Sequence, residues 1–427
     1  MANNKDVQDV GTAPAMSLGE SPTSPFGAQR LEGGDAVVGR GGKARMRFDA
    51  DQPAKAEGEI PPKGGAWCGE SMATQKNTAL IFGISGIVGR SLADRLTRNG
   101  WKVIGVARKA HADIPGILTC NLTDAADTRQ ALAPAKDASH VFFCTWARQP
   151  TERENCLVNG GMLRNALEGA AAHAKLRHAA LVTGLKHYLG SFENYAAQEL
   201  DTPFSEEQAR LPGENFYYTQ EDILFERAKK DGFTWSVARP HTIIGYAPGN
   251  AMNLGTSIAI YASLARETGR PFVFPGSPQA YNGLVDMTDA GLLASHLEWE
   301  ATSPNAADKA FNVVNGDYFR WRKMWGRIAD FFGVAAAPYP GHPTPLADYL
   351  KDTGPAWEAI IRKYGLKSHR LEDVAPWWHV DADLGRTQEC ITDMSRSREA
   401  GFLEYRNTWS AFRDLFAKLR AEKIIPA

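Results

Sequence analysis

The chain has 427 residues, a formal net charge of −1 and 43% hydrophobic residues, the balance of an ordinary soluble enzyme. So neutral a charge argues against nucleic acid or an anionic membrane surface as the main partner, and no apolar run is long enough to span a bilayer. Five scattered cysteines with no Cys-x-x-Cys pair point to neither a metal site nor a disulfide framework, and fit a reducing, cytoplasmic compartment.

Residues 1–71 hold 12 Gly and 6 Pro against 9 Val, Leu, Ile and Phe, with no periodic pattern. Such a segment buries too little apolar surface to offset its ordering entropy, so a disordered extension is expected over residues 1–75. The fold begins with an apolar strand at 79–82, which runs into GISGIVG. A helix follows, with Val88, Leu92 and Leu96 on one face and Gly100 past its end, and then a second strand at 102–107. This is the order of a dinucleotide-binding βαβ unit. Gly83 permits the tight turn, Gly86 admits a pyrophosphate against the backbone, and Gly89 lets helix and strand pack closely. The loop with Ser85, Ile87 and Val88 is the expected cradle, the phosphates resting on the helix N-terminus. At the end of the second strand an NAD site would carry an acidic residue for the ribose 2′-OH. Here stand Arg108 and Lys109, cations suited to a 2′-phosphate, so the expected cofactor is NADPH.

A third strand is expected at 117–120. Asn121 and Leu122, just beyond it, would face the adenine. A helix candidate at 125–132 leads to a fourth strand at 140–145, with Thr145 and Trp146 at the carboxyl edge where ligands bind in such sheets. A long helix at 152–175 and a fifth strand at 179–183 come next, opening into TGLKHYLG. The polar stretch 190–214 is long enough for a lid or binding loop. Residues 215–230 read as a helix carrying Tyr217, with Glu221 and Asp222 on a solvated face and Gly232 ending it. A sixth strand at 235–239 is closed by Pro240, with Ile243 just after it also assigned to the cofactor. Beyond lie a helix at 257–266, a short strand at 282–285, a helix at 289–299, a strand at 311–314, and an amphipathic helix at 321–332 with Met324, Trp325, Ile328 and Phe331 inward. The whole reads as α/β: a doubly wound parallel sheet (Rossmann) over residues 76–250. A smaller, mainly helical substrate-binding and capping part over 251–427 is interleaved with the 190–214 loop.

A reductase needs a hydrogen-bond donor at the substrate oxygen. The common short-chain solution is Tyr-x-x-x-Lys on one helix turn, where the ammonium lowers the phenol pKa. That pair is absent: Tyr217 and Tyr218 are followed four residues on by Glu221 and Asp222, and Tyr188 by Phe192.

Two further motifs, TGLKHYLG at 183–190 and NFYYTQED at 215–222, resemble the paired signatures of the progesterone 5β-reductase and iridoid synthase-like (PRISE) enone reductases, atypical members of the extended short-chain dehydrogenase family. The likeness runs from GISGIVG through HVFFCTWA and SVARP to FNVVNGDYFRW and GFLEYRNT, across residues 78–427. It implies Lys186 and Tyr217 as catalytic residues. It also implies cofactor contacts at Arg108, Asn121, Leu122, Thr145, Trp146 and Pro240, with Asn121 standing where Asp is more usual. The WWHVDADLG stretch at 377–385 resembles an aromatic segment near that family's substrate pocket, with His379 in place of a phenylalanine. His187, Trp146, His241 and His379 read as structural or pocket-lining, and Tyr218 as packing.

The expected activity is NADPH-dependent 1,4-hydride addition to a small-molecule enone or enal, with no metal and with a homodimer left open. The competing readings are a sugar-nucleotide epimerase or ketoreductase on the same scaffold, which would want the missing Tyr-x-x-x-Lys pair, and a non-catalytic NADP-binding sensor, which would tend to lose both motifs.

Overall fold

The computed structural model describes residues 77–111, 113–191 and 200–427. The expected extension at 1–75, and residues 192–199 of the 190–214 loop, lie outside them. The first half of the chain is mostly strand followed by helix: β1 (Thr78–Phe82), α1 (Ile87–Arg98), β2 (Lys102–Ala107), β3 (Leu118–Thr119), α2 (Ala125–Ala131), β4 (His140–Phe143), α3 (Glu152–Ala171), β5 (His178–Val182), α4 (Lys186–Leu189), α5 (Phe216–Asp231) and β6 (Thr234–Pro240). Then follow β7 (Ile243–Ile244), α6 (Leu254–Thr268), α7 (Pro278–Asn282), β8 (Thr288–Asp289), α8 (Ala290–Thr302), β9 (Lys309–Val313) and α9 (Trp321–Phe332). Six short helices between residues 346 and 421 complete the chain.

One seven-stranded sheet has the order β3-β2-β1-β4-β5-β6-β9, with every pair parallel. Helices cover both faces, which is why β1 and β4 are continuous buried runs. Alternate side chains divide between two cores. Leu80, Phe82, Val141 and Phe143 pack with Leu163, Leu167 and Leu224 of α3 and α5. Ala79, Ile81 and Phe142 pack with Val88, Leu92, Leu96 and Leu297 of α1 and α8. The strand order reverses between β1 and β4, so the crevice above their carboxyl ends is where such a sheet takes a ligand.

The third core belongs to the helical part, where α6 and α9 meet the C-terminal helices around Tyr261, Phe272, Trp325, Trp357 and Phe412. The β9 strand, from this second half of the chain, pairs with β6 and completes the sheet. Two local expectations differ from the structure. Residues 282–285 form no strand: Pro278 and the Ser277 hydroxyl, which accepts from the Ala280 amide at 3.0 Å, start a one-turn helix through Asn282 instead. In α9 Met324, Trp325 and Ile328 are buried as expected, but Phe332 rather than Phe331 is the buried phenylalanine. Phe331 is half-buried beneath the Arg420 guanidinium, 4.3 Å from its ring centroid.

Candidate active site

The glycine loop is built as its spacing requires. Gly83 has φ +84°, and a Cβ there would meet Cys144 O and Thr145 Cβ, both at 2.8 Å. A Cβ on Gly89 would come within 2.2 Å of Gly83 O. Gly86 is the N-cap of α1, with no side-chain cap and no acidic residue in the first turn. The amides of that turn, around Ile87 and Val88, are therefore suited to an external anion. Ser85 O accepts from Arg90 Nε at 3.0 Å, which braces the loop. Thr145 faces Gly83 across the β1–β4 switch point, and Ile87 packs with Ile243, Ala247 and Ala290. Arg108 and Lys109 follow β2 with exposed side chains. The Asn121 amide oxygen accepts from Thr123 N and Oγ1 at 3.2 and 2.8 Å, while Leu122 is packed into the core. Sequence reasoning did not single out Asn250, whose Nδ2 lies 3.7 Å from where a Cβ on Gly86 would sit.

Tyr217 and Lys186 come from different segments that are tied together beyond the end of β5. The Tyr217 hydroxyl is 3.4 Å from the Cβ position of Gly184, and Pro240 O is 3.0 Å from that same point. The phenol thus lies over the carboxyl ends of β5 and β6. Phe216 carries the arrangement toward β4: its ring is 4.5 Å from that of Tyr217 and stacks on Trp146 at 5.5 Å. Lys186 is buried, and its Nζ donates to Glu152 Oε1 at 2.7 Å and to Gly190 O at 3.0 Å. Two stitches join the segments. Asn215, the N-cap of α5, donates from Nδ2 to Lys186 O at 2.9 Å and accepts the Tyr217 amide at 3.0 Å. Glu152 Oε1 also accepts the Phe216 amide at 2.7 Å. Burial, aided by the Glu152 carboxylate, pushes the Tyr217 phenol pKa well above its usual value. It is therefore a neutral O–H, a donor rather than a base.

Glu152 was not visible in the sequence as anything but the start of a helix. Glu221 corrects an expectation: it is buried rather than solvated. Its carboxylate binds Arg239 at 3.0 Å and Arg210 at 2.9 Å, with His187 at 3.3 Å. Burial alone would raise its pKa, but His187 and Arg239 pull it down to about 2. Asp222 is exposed as expected and pairs with Arg210. Tyr218 donates to His187 O at 2.6 Å and accepts from Leu211 N at 3.0 Å, a packing role. His241 is buried against Asp286 at 2.7 Å and also meets Arg386. The helix Trp377–Leu384 reaches both sides of the cleft. Its Asp383 accepts from Thr242 Oγ1 at 2.9 Å, two residues past Pro240, and Trp378 lies 4.4 Å beneath the Arg148 guanidinium, two residues past Trp146. His379 is half-buried on this helix, its pKa lowered chiefly by burial. No cluster with metal-ligand geometry exists among the described residues.

A family model described as the PRISE-like Rossmann-fold domain matches residues 120–426. The chain belongs to this family. As a PRISE-like protein it is 43% identical over 371 residues to (S)-8-oxocitronellyl enol synthase of Nepeta cataria, covering 84% of this chain and 95% of that one. It is 39% identical over 398 residues to 3-oxo-Delta(4,5)-steroid 5-beta-reductase of Arabidopsis thaliana, covering 90% and 98%. Among solved structures, the PRISE-like chain superposes on UDP-glucose 4-epimerase of Thermotoga maritima with a TM-score of 0.56 at 14% identity, covering 81% and 99%. That likeness establishes the shared fold alone.

Proposed function

We propose that this protein is an oxidoreductase that reduces the activated C=C bond of an enone or enal with NADPH, as the names of its steroid reductase and enol synthase relatives suggest for the family. One observation supports the reading for this chain: the segments bearing Tyr217 and Lys186 are tied together through Glu152 and Asn215, with the Tyr217 hydroxyl seated over Gly184 beyond the end of β5. Bound NADPH would supply hydride to the β-carbon. The loop Gly83–Gly89 and the first turn of α1 would hold its pyrophosphate, and Arg108 with Lys109 its 2′-phosphate.

The chain's own contribution is electrostatic. As the β-carbon gains hydride, negative charge moves to the carbonyl oxygen. Tyr217 donates its hydrogen bond to that oxygen, and the Lys186 ammonium supplies positive potential nearby. Because its phenol pKa is raised, Tyr217 keeps its proton across the working range and meets the developing enolate as a full donor. Trp146 and Phe216, stacked together, wall the cleft with apolar surface that keeps water from the oxyanion.

NADPH absorbance followed with 2-cyclohexen-1-one, with cyclohexanone and without substrate tests the proposal. Consumption with the enone alone is expected. Consumption with the ketone would favour a carbonyl reductase, and binding without consumption a sensor.

A further inference from the structure

We infer that Glu152 is a positioning residue for the reaction, holding the Lys186 ammonium charged and fixed in place while also fixing the backbone beside Tyr217; this rests on the reductase reading above. Glu152 is the first residue of α3, and its side chain is 6% exposed beside a Lys186 side chain at 3%. One oxygen does two tasks. Oε1 accepts Lys186 Nζ at 2.7 Å and the Phe216 amide at 2.7 Å, so a single atom joins the β5–α4 turn to the start of α5. The other oxygen, Oε2, takes the Asn155 amide at 3.4 Å, which sets the plane of the carboxylate.

A buried ammonium is costly, and burial favours its neutral form unless an anion stands beside it. Glu152 provides that anion at hydrogen-bond distance. A neutral amine would supply little potential to an enolate oxygen. The arrangement therefore differs from Tyr-x-x-x-Lys, in which lysine acts on a tyrosine one helix turn away. Here a carboxylate from a third segment compensates the lysine, and its charge also helps keep the Tyr217 proton in place. The titratable groups described around the pair are Cys156 on α3, Glu214 and Tyr217 at the start of α5, and His187 and Tyr188 on α4, with Glu221 and Arg239 behind these last two. Cys156 is held protonated by burial, and Glu221 is already neutralised by its own cations. Glu152 is the carboxylate in direct contact with the ammonium.

A purely structural ion pair would affect folding and leave the pH profile alone, so the test reads the profile. Wild type, Glu152→Gln, Glu152→Asp, Lys186→Met and Glu152→Gln/Lys186→Met are compared for NADPH binding and for kcat against pH with 2-cyclohexen-1-one. Glu152→Gln should bind NADPH as wild type does. Its kcat should fall on the order of 10- to 100-fold, as when a group that orients a reacting side chain is removed, and its alkaline limb should move to lower pH. Glu152→Asp keeps the charge and should keep the wild-type limb at a reduced rate. The double variant carries no uncompensated buried charge, so it remains readable even where Glu152→Gln does not fold, and its kcat should equal that of Lys186→Met. A wild-type pH profile in Glu152→Gln, the same shifted limb in Glu152→Asp, or a further loss of kcat in the Lys186→Met background would overturn the inference while leaving enone reduction intact. A wild-type protein inactive on every enone would instead sink the reductase reading beneath it.

Discussion

The hydroxyl of Tyr217 lies 3.4 Å from the point where a side chain on Gly184 would begin. Glycine at the end of β5 is thus what lets the phenol come down onto the sheet edge beside Pro240. In Gly184→Ala the new methyl group is pressed between Pro240 O at 3.0 Å and the phenol, and the phenol is the movable partner. A displacement of about 1 Å can cost on the order of 10²-fold in rate. The expected outcome is a large loss of kcat with NADPH affinity retained, measured by steady-state enone reduction and by NADPH titration.

Removing the hydroxyl itself gives the cleaner measurement. Tyr217→Phe keeps the ring contacts with Phe216 and takes away the donor to the oxyanion, a group worth about 3 kcal/mol. Turnover is expected to fall by roughly two orders of magnitude while NADPH binding hardly changes. Unaltered turnover would remove Tyr217 from the reaction.

On the proposed reading, cofactor choice would rest with the exposed pair after β2. Neutralising both in Arg108→Ala/Lys109→Ala removes the charge-assisted bonds to a 2′-phosphate, each worth about 1.5–3 kcal/mol. KM for NADPH should rise by roughly 10²-fold or more, with KM for NADH nearly constant. Equal effects on both cofactors would place the specificity elsewhere.

Glu221 anchors a buried charge cluster one helix turn from Tyr217. Its loss in Glu221→Ala strands the buried Arg239, a defect that typically costs about 3–5 kcal/mol. Urea unfolding followed by circular dichroism should show a markedly lower midpoint. The carboxylate's folded pKa of about 2 lies below its unfolded value near 4.5. Its stabilisation is therefore complete above pH 4.5 and drains away as pH falls toward 2.

Acid sensitivity should begin earlier, through two histidines on adjacent strands. His140 and His178 are pulled down to about 4 and about 3, chiefly by burial. Both are neutral in the folded protein and titrate near 6.5 when unfolded. The unfolded chain thus binds more protons, and stability present above pH 6.5 is lost as pH falls through the window down to about 4. Each site contributes a slope of about 1.4 kcal/mol per pH unit there, so the pair contributes about 2.8 kcal/mol per pH unit. In His178→Asn the dependence of unfolding free energy on pH should be shallower by about 1.4 kcal/mol per unit; an unchanged slope would contradict this account.

The sequence by itself determined the sheet and the nucleotide loop. The apolar runs of β1, β2, β4, β5 and β6 and the glycines at 83, 86 and 89 were legible because each expresses a local rule of burial, turn geometry or residue spacing within a few neighbours; the motifs around Lys186 and Tyr217 were legible only through their resemblance to a family. Short boundaries were less so: of residues 282–285, Asn282 closes the one-turn helix capped by Ser277 and Pro278, and Val285 makes only isolated bridges to Phe319 and Cys390. Only the tertiary structure decided that Glu221 is buried, that Glu152 holds Lys186, and that Gly184 and Pro240 seat the phenol. Those relationships join residues 18 to 64 positions apart. Whether a carboxylate meets water or a buried cation depends on which distant segments the parallel crossovers bring above the same strand ends, and no pattern within one segment records that.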